Sequence, residues 1–75
     1  MDFSISRHAL RRMFQSDISE ADIGAVLDSP TWDVPTTRST RYDGMVRGRR
    51  LCVVVAEEHS PVRIVTVFWF EAERR

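Results

Sequence analysis

His8 and Arg12 stand four residues apart in the run Ser6-Arg7-His8-Ala9-Leu10-Arg11-Arg12-Met13. That spacing puts two side chains one turn apart on the same side of a helix. A titratable imidazole beside a permanent cation suits phosphodiester chemistry. Metal-independent RNA cleavage needs a base for the 2′-hydroxyl proton, cations for the charge that grows around phosphorus, and an acid for the leaving oxygen. Imidazole, with a reference pKa of about 6.5, can take both proton-transfer roles near neutrality. Arg12 would bind phosphate and favour the neutral ring. The plain alternative is a solvated helix face. On the other side of the helix, Leu10, Met13 and Phe14 are expected to face a core.

Supporting cations are available downstream. Residues 38–63 carry six arginines against three acids, whereas residues 1–37 carry three arginines against six acids, within a net charge of zero. Every basic residue that is always charged is arginine, whose planar fork matches phosphate better than an ammonium does; a GC-rich genome, which replaces lysine with arginine, explains this equally well. Arg41 and Arg63 each begin an expected strand and are the candidate phosphate contacts, with salt bridges to Asp43, Glu57 or Glu58 as the competing reading. Arg47, Arg49 and Arg50 cluster at an expected hairpin, as a solvated turn or as a rim for nucleic acid. Tyr42 can stack on a base or pack across strands. His59, in an acidic loop, reads as a solvated turn residue. Trp32, Phe68, Trp69 and Phe70 read first as core or partner-contact residues.

Seventy-five residues make a single domain, 1–75, of a size that buries only roughly 60% of its unfolded surface. A hydrophobic content of 43% and a charged content of 29% fit a folded globular protein. No apolar run approaches the roughly 20 residues of a membrane span. The opening Met1-Asp2-Phe3-Ser4 lacks the basic patch and apolar stretch of a secretory signal, so a cytoplasmic location is expected. Cys52 is the only cysteine, which rules out an internal disulfide and a cysteine-based zinc site. Two histidines 51 residues apart argue against a metal centre, and there is no glycine-rich phosphate loop. No cofactor is expected.

The elements that must position these residues can be read from local signals. Phe3–Ile5 predicts a short strand, and Ser4 or Ser6 caps a helix running to about Gln15. Ser19 is an N-cap with Asp22 in the capping-box position, and Ile18 and Ile23 form a hydrophobic staple. The second helix buries Ile23, Val26 and Leu27 and stops before Asp28-Ser29-Pro30. Gly24 inside it costs about 1 kcal/mol relative to alanine. Thr31–Pro35 reads as an edge strand because Pro35 removes a ladder donor. Thr40–Arg47 alternates, with Tyr42, Gly44 and Val46 on one face and Arg41, Asp43, Met45 and Arg47 on the other. Gly48-Arg49 is the expected turn into Leu51–Ala56, and Glu57–Pro61 loops to Ile64–Phe70. The order β-α-α-β-β-β-β predicts an α+β fold, two N-terminal helices on a four- to five-stranded antiparallel sheet. Two short helices cover one face only. A row such as Cys52, Val54, Val65, Val67 and Trp69, or the opposite set, is then expected to stay exposed and to recruit a second copy or another protein, unless the Trp32 segment and the Glu71–Arg75 tail fold over it.

The ordered set His8-Ala9-Leu10-Arg11-Arg12-Met13, Ile18-Ser19, Asp22-Ile23, Val26-Leu27 and Pro30, with the later Leu51–Val55 and Ile64–Phe68 strands, resembles a prokaryotic domain-of-unknown-function family. Its signature is His, three residues, Arg-Met. That family is similar to the BrnT and RelE group of small α+β toxins. The resemblance spans nearly the whole chain. It implies two helices on an antiparallel sheet and the toxin role in a toxin–antitoxin pair, acting as a ribonuclease on messenger RNA. RNA and an antitoxin protein are then the implied partners. One departure is visible: relatives commonly carry Arg-Gly before the Ile-Ser step, where this chain has Ser16-Asp17. If that arginine binds phosphate in relatives, the contact is missing here.

The leading expectation is a toxin-like RNA endonuclease with His8 as acid/base, Arg12 as its phosphate-binding partner, and Arg41, Arg63, Arg50 and Tyr42 as RNA contacts. The alternatives are a non-catalytic interaction or dimerisation module of the same fold, and a binder of a small anionic ligand.

Overall fold

The computed structural model describes residues 2–56, 58 and 61–71. Glu57, His59 and residues 72–75 lie outside them, so the expectations placed on the acidic loop and on the end of the tail fall outside the described residues. In chain order the elements are β1 (Phe3–Ile5), α1 (Arg7–Ser16), α2 (Glu20–Asp28), β2 (Trp32–Pro35), β3 (Thr40–Val46), β4 (Arg49–Ala56) and β5 (Val62–Trp69). The expected α+β order is present. The sheet has five strands in the order β1-β5-β4-β3-β2. It is mixed rather than wholly antiparallel, because β1 runs parallel to β5 while the other three pairings are antiparallel. The short β1 leads directly into α1, and Ser6 N–H continues the attachment with a 3.0 Å bond to the Ile64 carbonyl. No helix among the described residues is long and apolar enough to cross a membrane.

Both helices begin where local chemistry places them. Ser6 Oγ accepts from Ala9 N–H at 3.0 Å. Ser19 and Asp22 exchange the two bonds of a capping box, each 3.1 Å, and satisfy donors that a helix start leaves free. Ile18 and Ile23 are both buried, which completes the staple. Helix α1 ends on Asp17, whose φ of 58° is left-handed. Glycine is the usual residue there and aspartate one of the few tolerated substitutes, so the position is a conformational requirement. Asp17 meets it.

α1 packs on β5, and α2 packs on β3 and β4. Gly44 makes the second contact close: a Cβ at that position would sit 3.2 Å from Val26 Cγ2. The core between helices and sheet is formed by Ala9, Met13, Ile23, Val26, Leu51, Val53, Val55, Ile64 and Val67.

Three expectations are corrected. Leu10 and Phe14 do not face the core; they are 57% and 91% exposed, and only Met13 of the expected trio is buried. Ala9, with no exposure, lets α1 sit low on β5, so the buried arc is centred on Ala9 and Met13. The hairpin turn is Arg47-Gly48, not Gly48-Arg49: φ is 52° and 78° at these residues, as a two-residue type I′ turn requires. Arg47 therefore leaves the Arg41–Asp43 face and reaches α2, where Nη1 lies 3.0 Å from Asp22 Oδ1.

The third correction concerns the exposed row. The β4–β5 register shifts between Val54 and Val55, with Val54 opposite Thr66 but Val55 opposite Ile64. Val65 is the extra residue, and a bulge of this kind reverses side-chain parity. Val67 and Trp69 thereby join Leu51 and Val53 under the helices, while Cys52 and Val54 lie on the outer face with Thr66 and Phe68. The proposed row is split between faces.

Two stability outcomes follow. An added Cβ at Gly24 meets no atom within 4 Å, so Gly24→Ala should stabilise by about 0.5–1 kcal/mol in urea unfolding. Burial pushes the Asp22 carboxyl up, but the Ser19 backbone N–H, the Arg47 guanidinium and the Ser19 hydroxyl outweigh it and hold it below its usual value of 3.8. A depressed carboxylate stabilises above its unfolded value and loses that contribution as pH falls through its folded one. Asp22→Asn should therefore cost about 1 kcal/mol at neutral pH, a gap that closes on acidification below 3.8 in parallel melts.

Candidate nucleic-acid interface

α1 is pinned to β5 at both ends. Ser6 Oγ donates to the Val65 carbonyl at 2.9 Å, and Trp69 Nε1–H donates to the Ser16 carbonyl at 3.0 Å. The second bond satisfies a carbonyl that the helix end leaves free. It also fixes the half-buried Arg12 above the end of β5. From β4, the Arg49 guanidinium stacks 4.3 Å from the Trp69 ring centroid. Arg12, Ser16, Arg41, Arg49, Phe68, Trp69, Phe70 and Glu71 line one open depression of about 530 Å³.

The outer sheet face supplies Arg41. Its Nε and Nη2 donate to Asp43 Oδ1 and Oδ2 at 3.1 and 3.0 Å, and Arg50 Nε donates to the same Oδ2 at 2.8 Å. Asp43 has no solvent exposure. Arg50 is clamped in turn between Trp32, 3.8 Å from the ring centroid, and Phe70, at 4.4 Å. This network covers the outer face around Cys52, which lies opposite Asp43 in register and is fully buried. Burial first, then the charge and hydrogen bond of Asp43, push the Cys52 thiol up to about 11, so it behaves as a small hydrophobe.

Electrostatically the depression is cationic. Three guanidiniums face one carboxylate, Glu71. Arg41 shares Asp43 with Arg50, so one negative charge serves two positive ones. Among the described residues neither Arg12 nor Arg49 has a carboxylate within ion-pair distance. Cations beside aromatic rings are the elements of a single-stranded nucleic-acid site: guanidiniums follow phosphates while rings stack on bases.

The structure brings together two of the expected site residues, Arg12 and Arg41, and adds Arg49. His8 is exposed on α1, one turn before Arg12, and does not line the depression. Arg63 is exposed, opposite Ser4 and Ala56 in register. Its place at the other end of β5 puts its backbone about 20 Å from Trp69 at the rise of a strand, too far to share a phosphate with Arg12. Arg50 belongs to the Asp43 clamp. Tyr42 lies on the helix face, half-buried against the core. The Arg41–Asp43 pairing was visible as an alternation of two residues on one strand face. The stacking of Arg49, expected only as a turn residue or a nucleic-acid rim, on Trp69 was not, since it depends on the bulge and on the hairpin register. The described residues contain no group of three or more histidines, cysteines or acids able to hold a metal ion.

Residues 5–69 match the family described as Domain of unknown function (DUF4258). No curated protein and no solved structure matches the chain.

Asp43→Asn removes the charge that orders both arginines and should cost about 2 kcal/mol in urea unfolding. Because Asp43 also raises the Cys52 thiol, the same variant should shift the ultraviolet thiolate titration of folded Cys52 downward, while burial keeps it above that of a free thiol. An unchanged titration would show that the carboxylate does not act on the sulfur.

Proposed function

This chain belongs to the DUF4258 family, a domain of unknown function matched over residues 5–69, and we propose that it is the toxin-like component of a toxin–antitoxin pair: a metal-independent RNA endonuclease. The observation that carries this reading is the convergence of Arg12, Arg41 and Arg49 on one depression edged by Phe68, Trp69 and Phe70. The His8…Arg12-Met13 motif, which resembles the signature of a family similar to the BrnT and RelE toxins, supports it. Messenger RNA as the target implies a cytoplasmic site of action.

Phosphates of a single strand would be held by the three guanidiniums and bases by the Phe68 and Phe70 rings. A strand leaving the depression along α1 passes His8, one turn from Arg12. There the imidazole would take the proton of a ribose 2′-hydroxyl. The 2′-oxygen attacks phosphorus, the bond to the 5′-oxygen breaks, and the imidazolium returns its proton to that oxygen. The products are a 2′,3′-cyclic phosphate and a 5′-hydroxyl. Arg12 would offset the added negative charge on the phosphorane.

The position of His8 outside the lining favours one second reading, a non-catalytic interaction or dimerisation module of the same fold.

The test combines binding, cleavage and growth. Wild type should bind single-stranded RNA with a log–log salt slope near −2 for three phosphate contacts, and Arg12→Ala or Arg49→Ala should lower the slope by about 0.7. Cleavage should persist in chelator and be lost in His8→Ala with binding intact, and His8→Ala should relieve growth arrest on induction. Binding without cleavage in the wild type would favour the interaction module. Affinity insensitive to salt and to both arginine variants would end the RNA reading.

A further inference from the structure

The side of α1 turned away from the sheet carries an apolar ridge that the fold does not use. Phe14 is 91% exposed and Leu10 57%, although burying large apolar side chains is favourable. They lie four residues apart, so they stand one above the other on the helix. A depression flanks each side of the ridge: one of about 300 Å³ bounded by Met13, Asp17 and Ile18, the other of about 540 Å³ bounded by Arg7, Arg11 and Gln15. Ala9 and Met13 anchor α1 without help from the ridge. At about 100° per residue, Phe14 lies about 160° round the helix from Arg12, so this face is separate from the cationic depression.

We propose that this ridge is the docking site for an acidic amphipathic helix of a partner protein. A helix laid along α1 places its apolar side chains in the two flanking grooves. The charges decide which helix. The residues of α1 include three arginines and no acid, and Arg7 and Arg11 border one groove, so the partner carries its glutamates or aspartates along that flank. A second copy of this chain does not meet the requirement. Two-fold antiparallel pairing of the ridge sets the Arg7–Arg11 flank of each copy against the same flank of the other. Parallel pairing leaves the arginines without acids at their height. An anionic bilayer is also a poor match, because Asp17 borders the other groove and would meet the headgroups.

The test uses the full chain and two labelled helical peptides with leucines at identical helical spacing, one bearing glutamates along one flank and the other lysines. The glutamate peptide should bind at least about tenfold more tightly. Phe14→Ser, at a position exposed enough to leave the fold intact by circular dichroism, should weaken it about tenfold or more. Arg7→Glu with Arg11→Glu should invert the preference between the peptides. Arg12→Ala should leave peptide binding unchanged, which separates this outcome from that of the RNA site. Equal binding of the two peptides, failure of the glutamate peptide to bind, insensitivity to Phe14→Ser, stronger binding to phosphatidylglycerol vesicles, or a dimer dissolved by Phe14→Ser would each overturn the proposal.

Discussion

Two short helices can cover only one face of a five-stranded sheet, and the buried carboxylate of Asp43 is the chain's answer to the other. By accepting from Arg41 and Arg50 at once, it holds two long side chains on the outer face with their charges partly in solvent. Trp32 and Phe70 hold Arg50 from both sides. The result is a second, thin layer of polar and aromatic side chains where larger α+β proteins place more helices. A pair of this kind contributes order more than net stability, since desolvation offsets much of its attraction.

That layer and the helical layer meet at the end of β5, where the chain's chemistry is concentrated. The bulge at Val65 turns Trp69 toward α1, and its indole N–H closes the helix end. Arg12 descends from the helix, Arg49 stacks on the same indole, and Arg41 comes from the outer layer. A cationic depression thus forms at a seam between layers, from residues far apart in sequence. Its charge survives because Asp22 is committed to Arg47 and the single charge of Asp43 is divided between Arg41 and Arg50.

α1 has two working sides. One contributes Arg12 and Ser16 to the seam; the other offers Leu10 and Phe14 to solvent. The helix can be spared for this because Ala9 and Met13 alone connect it to the core, and because Ser6 and Trp69 fasten its ends.

The local features of the protein were determined by its sequence. Ser6 and Ser19 cap helices, Ile18 and Ile23 staple one, and Pro35 marks an edge, because each depends only on neighbours a few residues away. The alternation of Tyr42, Gly44 and Val46 against Arg41 and Asp43 gave one strand's faces correctly for the same reason. Tertiary structure decided what required a distant partner. The arc of α1 that is buried was set by how low Ala9 could sit on β5, which sent Leu10 and Phe14 to solvent. The faces of Val67 and Trp69 were set by a bulge that reverses parity without a mark in the local sequence. The separation of Arg63 from Arg12, and the arrival of Arg49 in its place, followed from strand register, which no single strand specifies by itself.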